Sequence, residues 1–128
     1  MTELDIFTRV SKAISDPGRI KILKMLEVRE MCACEIVAAL NLAQPTVSKH
    51  LKQLTEAGLI TARREGSWMH FRLAEDTVAA DSTENSPAAI RASVLGILRT
   101  HLNNDPAIRV LRLQLPELSP EKLQCSKG

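Results

Sequence analysis

The chain has no tyrosine, and among its 128 residues only Phe7, Phe71 and Trp68 are aromatic. Its core must therefore come from Leu, Ile, Val and Ala, a set that suits helices better than an aromatic-rich sheet. Cysteine is scarce too. Cys32, Cys34 and Cys125 are too few for a disulfide framework, and the expectation is free thiols in a reducing cytoplasm. No apolar run approaches the roughly 20 residues of a membrane span. The opening "MTELDIFTRV" is acidic and amphipathic, with neither the basic start nor the apolar stretch of a secretory signal. A glycine-rich phosphate loop and a supported Ser/His/Asp arrangement are also missing. At this length one domain is expected, with residues 1–114 as its folded part and 115–128 as a flexible tail.

What is present begins with a localised charge. Residues 44–72 hold Lys49, Lys52, Arg63, Arg64 and Arg72 against Glu56 and Glu65, a net +3, while the rest of the chain sums to −1. His50 and His70 lie in the same segment. A solvated basic face and a nucleic-acid surface both fit that charge, and the structural context decides between them.

Helical periodicity organises most of the chain. In "ELDIFTRVSKAIS" Leu4, Phe7, Val10 and Ile14 share a stripe. Asp16 and Pro17 make a capped start for a second helix carrying Ile20, Leu23 and Leu26 inward. A short helix over about 35–40 follows, with Ile36 and Leu40 inward. Then "NLA" turns into a helix opening at Gln44-Pro45, whose stripe is Val47, Leu51 and Leu54 and whose stop is Gly58. The period then becomes that of strands: "LITARREG" and "SWMHFRL" form a hairpin about Gly66-Ser67, with Arg63 and Arg64 near its tip. After the polar connector "DTVAADSTENS", Ser86-Pro87 and Asp105-Pro106 start two more helices. Ile90, Val94, Ile97 and Leu98 are expected inward on the first, and Pro116 ends the second.

Two helices, a three-residue turn, a helix and a basic hairpin make a mainly α winged helix-turn-helix with a two-stranded β-wing. In that arrangement the helix from Gln44 enters the major groove of double-stranded DNA with its first turns against base edges. Its outward positions are Gln44, Thr46, Ser48, Lys49, Lys52 and Gln53, with His50 in the same segment. Glutamine pairs with adenine, and Ser or Thr reaches bases or phosphates. Lys52, Arg63 and Arg64 suit phosphate neutralisation.

The stretches "SDPGRIKILKMLE", "QPTVSKHLKQLTEAGLI" and "RREGSWMHFRL" together resemble the ArsR/SmtB family of small metal-responsive repressors over residues 3–74. Within it, "MCACEIVAAL" resembles the arsenic(III)/antimony(III) sensors, whose Cys-x-Cys opens the helix before the recognition helix. The resemblance implies a homodimer joined through its first and last helices. It also implies that the ligand-free form holds operator DNA and that As(III) or Sb(III), bound by Cys32 and Cys34, releases it. No cofactor is implied for DNA binding, and no membrane partner. The fuller arsenic motif has a third cysteine where this chain has Val37. Cys125 of the tail, or a solvent or small-thiol ligand, is then the candidate for the third position.

Geometry restricts what the pair can do. Residues two apart on a regular helix point about 200° apart, so both sulfurs reach one ion only where the helix begins. A helix N-terminus is also expected to favour thiolate. Buried packing thiols are the plain alternative. A structural zinc would want four ligands, and His101 with Asp105 does not complete the family's C-terminal zinc set. Other signals on the same scaffold are cadmium or lead, whose sensors add cysteines on an N-terminal arm that "MTELDIF" lacks, and thiol oxidation or persulfidation using Cys34 with Cys125. A thiol–disulfide enzyme is the remaining rival. The arsenate-reductase pattern needs Arg six residues after its Cys, and here those positions are Ala38 and Leu40, so the expectation is that the chain is not an enzyme.

Overall fold

The computed structural model describes residues 1–74, 86–121 and 123. Helix α1 (Glu3–Ala13) starts at a capping box in which the Thr2 side chain and the Asp5 carboxylate satisfy each other's backbone N–H. Helix α2 (Pro17–Leu26) starts at Asp16, whose carboxylate accepts the Arg19 N–H, with Pro17 in the first turn. A two-residue strand, β1 (Met31–Cys32), leads directly into α3 (Ala33–Leu40). Asn41 ends α3 in the left-handed region at φ 54°, the second commonest residue for that role after glycine. After Leu42 and Ala43 comes α4 (Gln44–Glu56), and Gly58 at φ 77° turns the chain out of it. Strands β2 (Ile60–Glu65) and β3 (Trp68–Leu73) form the hairpin. Helices α5 (Pro87–Thr100) and α6 (Pro106–Gln114) start at the Ser86 and Asp105 caps, and a 3-10 turn spans Leu115–Glu117. The expected connector over 76–85 lies outside the described residues.

The element order is the mainly α winged helix-turn-helix read from the sequence, with one addition. The wing is not a lone hairpin, because β1 joins it as a third antiparallel strand in the order β1-β3-β2. Met31 pairs with Phe71 and Cys32 with His70.

The core lies where α2, α3 and α4 meet the base of the wing. Ile22, Leu23, Met25, Ile36, Val47, Leu54, Leu59 and Ile60 are essentially inaccessible there. Each such side chain is worth about 1.5–3 kcal/mol of apolar burial, so this meeting point holds α4 in place. Two stripes divide differently from expectation. On α1, Val10 is buried but Leu4 and Phe7 are exposed. On α5 Ile90, Val94 and Leu98 face the core as expected and Leu95 joins them, but Ile97 lies outside at 60% exposure. Because α1 packs against α5, these apolar side chains lie outside the core on two adjoining helices.

One buried charge ties the C-terminal helices to this core. The Lys24 ammonium, fully buried, lies within hydrogen-bonding distance of Leu98 O, His101 O, Asn103 Oδ1 and Glu27 Oε1. It neutralises the carbonyl end of α5, where the helix dipole favours a cation. Arg112 of α6 bridges the same Asn103 and Glu27, each at 2.9 Å. The expected division after Gln114 falls just before a buried residue, Leu115. From there the chain stays on the domain body through Leu118, since Arg29 donates to the carbonyls of Leu115 and Leu118.

Candidate DNA interface and effector site

Helix α4 is amphipathic by construction: Val47, Leu51 and Leu54 are buried, and Gln44, Thr46, Ser48, Lys49 and Lys52 are exposed. His50 and Gln53 belong to neither group. Arg19 of α2 reaches both, with one guanidinium nitrogen 3.2 Å from His50 Nδ1 and 2.7 Å from Gln53 Oε1. A guanidinium only donates, so Nδ1 is the acceptor and Nε2 carries the hydrogen toward Asp16 Oδ2, 3.5 Å away. The other two guanidinium nitrogens donate to Ala13 O and Lys12 O, closing the end of α1. Burial opposes ionisation of Asp16, but the N–H groups of Arg19 and Gly18 and the electrostatic pull of the His50 and Arg19 side chains outweigh it and hold its carboxyl below the usual range. A Cβ at Gly18 would lie 3.0 Å from Asp16 Oδ2 and 3.1 Å from His50 Nε2, so any side chain there would press on this pair. His50, expected among the DNA contacts, is thus turned toward α2, as is Gln53. The sequence pattern gave no warning, since neither residue breaks the apolar stripe.

On the wing, Arg64 is exposed and Arg63 is engaged. Arg63 is paired with Glu30 and, at 3.0 Å, with Glu65. Hydrogen bonds to those two carboxylates hold its guanidinium still more firmly charged. His70 lies between the same two, 3.8 Å from Glu30 and 3.6 Å from Glu65.

The cysteine pair sits where helix has not yet begun. Cys32 is the extended residue preceding α3, at φ −87° and ψ 164°, and Cys34 is the second residue of the helix. This change of backbone brings the two sulfurs to 3.1 Å. That is well beyond the ~2.05 Å of a disulfide, and Cys32 is a free thiol. Cys34 is engaged in a disulfide, so both sulfurs are available together only in the reduced protein. Cys125 lies outside the described residues. Val37, three residues beyond Cys34, packs against the core, so α3 offers no third donor there.

Glu35 governs this corner, and sequence reasoning overlooked it. It is 2% exposed, accepts the Cys32 N–H at 2.9 Å, and is paired with Arg29 at 2.7 Å. The Glu-at-third-position signature of a capping box was present, with cysteine where Ser or Thr is usual. The expected thiolate preference is reversed: burial first, then the Glu35 charge, push the Cys32 thiol up, against the pull of nearby N–H groups. Desolvation and a neighbouring carboxylate outweigh the helix end. His101, as read from the sequence, is exposed, its Nδ1 beside Ile97 O. Among the described residues no group of three or more His, Cys, Asp or Glu is placed to hold a metal ion, and no helix is long and apolar enough to cross a membrane.

Comparison with known proteins meets the same region. The family described as "Bacterial regulatory protein, arsR family" matches residues 16–62, from the α2 cap to the wing. An uncharacterized HTH-type transcriptional regulator of Methanocaldococcus jannaschii is 40% identical over 79 residues, covering 61% of this chain and 89% of that protein. An arsenic resistance transcriptional regulator of Pseudomonas putida is 35% identical over 99 residues, covering 68% and 77%. A homodimeric winged helix-turn-helix DNA-binding domain from Mycobacterium bovis superposes with a TM-score of 0.58 at 31% identity, covering 80% of this chain and 87% of that one. These relatives and the fold are those of transcriptional regulators rather than enzymes. The chain belongs to the arsR family of bacterial regulatory proteins.

Proposed function

We propose that this regulator binds operator DNA as a cytoplasmic homodimer and leaves it when As(III) or Sb(III) is captured by Cys32 and Cys34. The observation that carries the reading is the 3.1 Å approach of two sulfurs at the start of α3, one short helix and a three-residue turn ahead of α4. Soft thiolate donors select soft, thiophilic ions. With arsenous acid, two As–S bonds form, two As–OH bonds break, and the thiol protons leave in two waters. Seating one atom against both sulfurs, already 3.1 Å apart, re-aims them and the first turn of α3 with them, and α3 packs directly on α4. The related Pseudomonas putida protein carries arsenic resistance in its name, which supports the metalloid over other soft ions.

Dimerisation through the first and last helices is supported by Leu4 and Phe7 of α1 and Val110 and Leu113 of α6, all exposed, with Ile97 of α5 exposed beside α1. The Mycobacterium bovis relative is homodimeric. Gln44, Thr46, Ser48 and Lys49 would then meet base edges and the adjacent backbone, and Lys52 and Arg64 phosphate. Their target is two half-sites about one helical turn (~10 base pairs) or more apart.

The test is DNA release from the reduced protein by arsenite, antimonite, cadmium, lead and zinc, on wild type, Cys34→Ser and Cys125→Ser. Release by arsenite and antimonite that Cys34→Ser abolishes is the expected result. Loss of response in Cys125→Ser would make the tail thiol the third sulfur. No response of the wild type to any thiophilic ion defeats the effector reading. The disulfide at Cys34 favours a second reading, a thiol-redox switch. Release by a mild oxidant that persists with chelator present and no metalloid added would establish it.

A further inference from the structure

We infer that the effector site acts on the wing through β1, so that the wing is a second moving part beside α4. This rests on the effector reading above and adds the path by which the signal travels.

The path is a single transverse row of the sheet. Cys32 of β1 is paired with His70 of β3, and His70 is paired on its other side with Arg63 of β2. Directly opposed residues of antiparallel strands project to the same face with Cβ atoms about 5 Å apart. An effector thiol, an imidazole and a wing arginine therefore stand side by side. A second row of contacts runs over the first. Glu30, two residues before Cys32, grips Arg63 and lies 3.8 Å from His70, and Glu65 closes the cluster from the far side. The short segment 30–35 thus holds the wing by Glu30, carries the ligand at Cys32, and anchors itself to α3 by the bond from the Cys32 N–H to Glu35.

The mechanical weights favour motion at β1. It is two residues long, whereas β2 and β3 pair over six residues each. Seating one atom against two sulfurs that already lie 3.1 Å apart has to re-aim the Cys32 side chain, and that displaces β1 from β3 before it disturbs the hairpin. Once β1 moves, Glu30 leaves Arg63 and His70, and the brace that sets the wing against the domain body is lost. The hairpin remains intact but is no longer held at a fixed angle to the domain body, so Arg63 and Arg64, on its opposite faces, lose their set positions together.

The chain carries its own reporter. Trp68, the sole tryptophan, is the first residue of β3, and its indole N–H is buried with no acceptor among the described residues. Reduced, DNA-free protein is titrated with arsenite while As–S absorbance and Trp68 emission are read together. DNA affinity is then measured with and without arsenite for wild type and Glu30→Ala. Emission is expected to change in step with absorbance. The wild-type affinity ratio should lie in the roughly 5–150-fold range of ordinary allosteric coupling. Glu30→Ala is expected to keep the absorbance band, lose most of the emission change and reduce the affinity ratio several-fold. An absorbance band with silent Trp68, or a Glu30→Ala ratio equal to that of wild type, overturns the β1 route and leaves the effector reading standing. No band in the wild type overturns both.

Discussion

The Arg19 guanidinium lies 3.2 Å from Nδ1 of His50 and fastens the middle of α4 to the start of α2. The same side chain closes the end of α1 through Lys12 O and Ala13 O. Arg19→Ala therefore removes four hydrogen bonds at once and lets three helices shift relative to one another. About 2 kcal/mol of stability is expected to be lost in urea denaturation, since charge-assisted bonds are worth more than neutral ones. DNA affinity should fall by a similar factor for operator and scrambled sequences. Gln44→Ala, by contrast, should leave stability alone and cost about 1–3 kcal/mol on the operator only.

The exposed cations of α4 and the wing differ in what already neutralises them. Lys49, Lys52 and Arg64 are exposed, whereas Arg63 is held by two carboxylates. Each of Lys49→Ala, Lys52→Ala and Arg64→Ala is expected to shallow the log–log salt dependence of DNA binding by about 0.9 if the residue meets a phosphate. Arg63→Ala should shallow it less, because Glu30 and Glu65 compete for that guanidinium. Fluorescence anisotropy at four or five salt concentrations measures all four slopes.

Cys32 carries a thiol pushed up by burial and by Glu35, and only the thiolate attacks. Arsenite capture is therefore expected to accelerate as pH rises through the alkaline thiol range, with Glu35→Gln moving the whole profile to lower pH. Stopped-flow absorbance of the As–S band at a series of pH values checks this. The stability linkage has a definite sign. A folded-state value above the unfolded one means that the fold prefers the protonated thiol. Its contribution is complete below the ordinary thiol value and disappears as pH rises through the raised one. Cys32→Ser should flatten that alkaline limb.

Lys24 is the most costly single charge to remove. Lys24→Met would leave Glu27 with Arg112 alone and take the ammonium from Leu98 O, His101 O and Asn103 Oδ1 at the end of α5. A loss of about 3 kcal/mol is expected from such uncompensated buried groups, read as a lowered urea midpoint. Lys24→Arg should not rescue it, because a planar fork cannot converge on four acceptors set around a point.

Helix starts were legible in the sequence because they are local. Asp16-Pro17, Ser86-Pro87 and Asp105-Pro106 each place a capping oxygen three or fewer residues from the N–H groups it accepts. The α4 stripe was legible for the same reason. What escaped is long-range. β1 is too short to show a period, and it exists only because β3, about 40 residues later, offers it an edge. Nothing local marks Lys24 or Glu35 for burial, because α5 and Arg29 supply their partners. The inward turn of His50 depends on Arg19 and on the missing side chain at Gly18, neither of which α4 contains. Ile97 looked like core because a stripe alone does not say which side of a helix the domain will occupy.

The Lys24 cluster also limits how this molecule can be rebuilt. Its ammonium belongs to the DNA-reading half, yet three of its four acceptors, Leu98, His101 and Asn103, lie at or just beyond the end of α5. A chimera that joins residues 1–74 to another regulator's C-terminal helices would leave this buried cation with Glu27 alone of its four acceptors. The reverse exchange would leave a helix end with nothing to quiet it. Recombination between relatives therefore has to move Lys24 and Leu98–Asn103 as one inheritance.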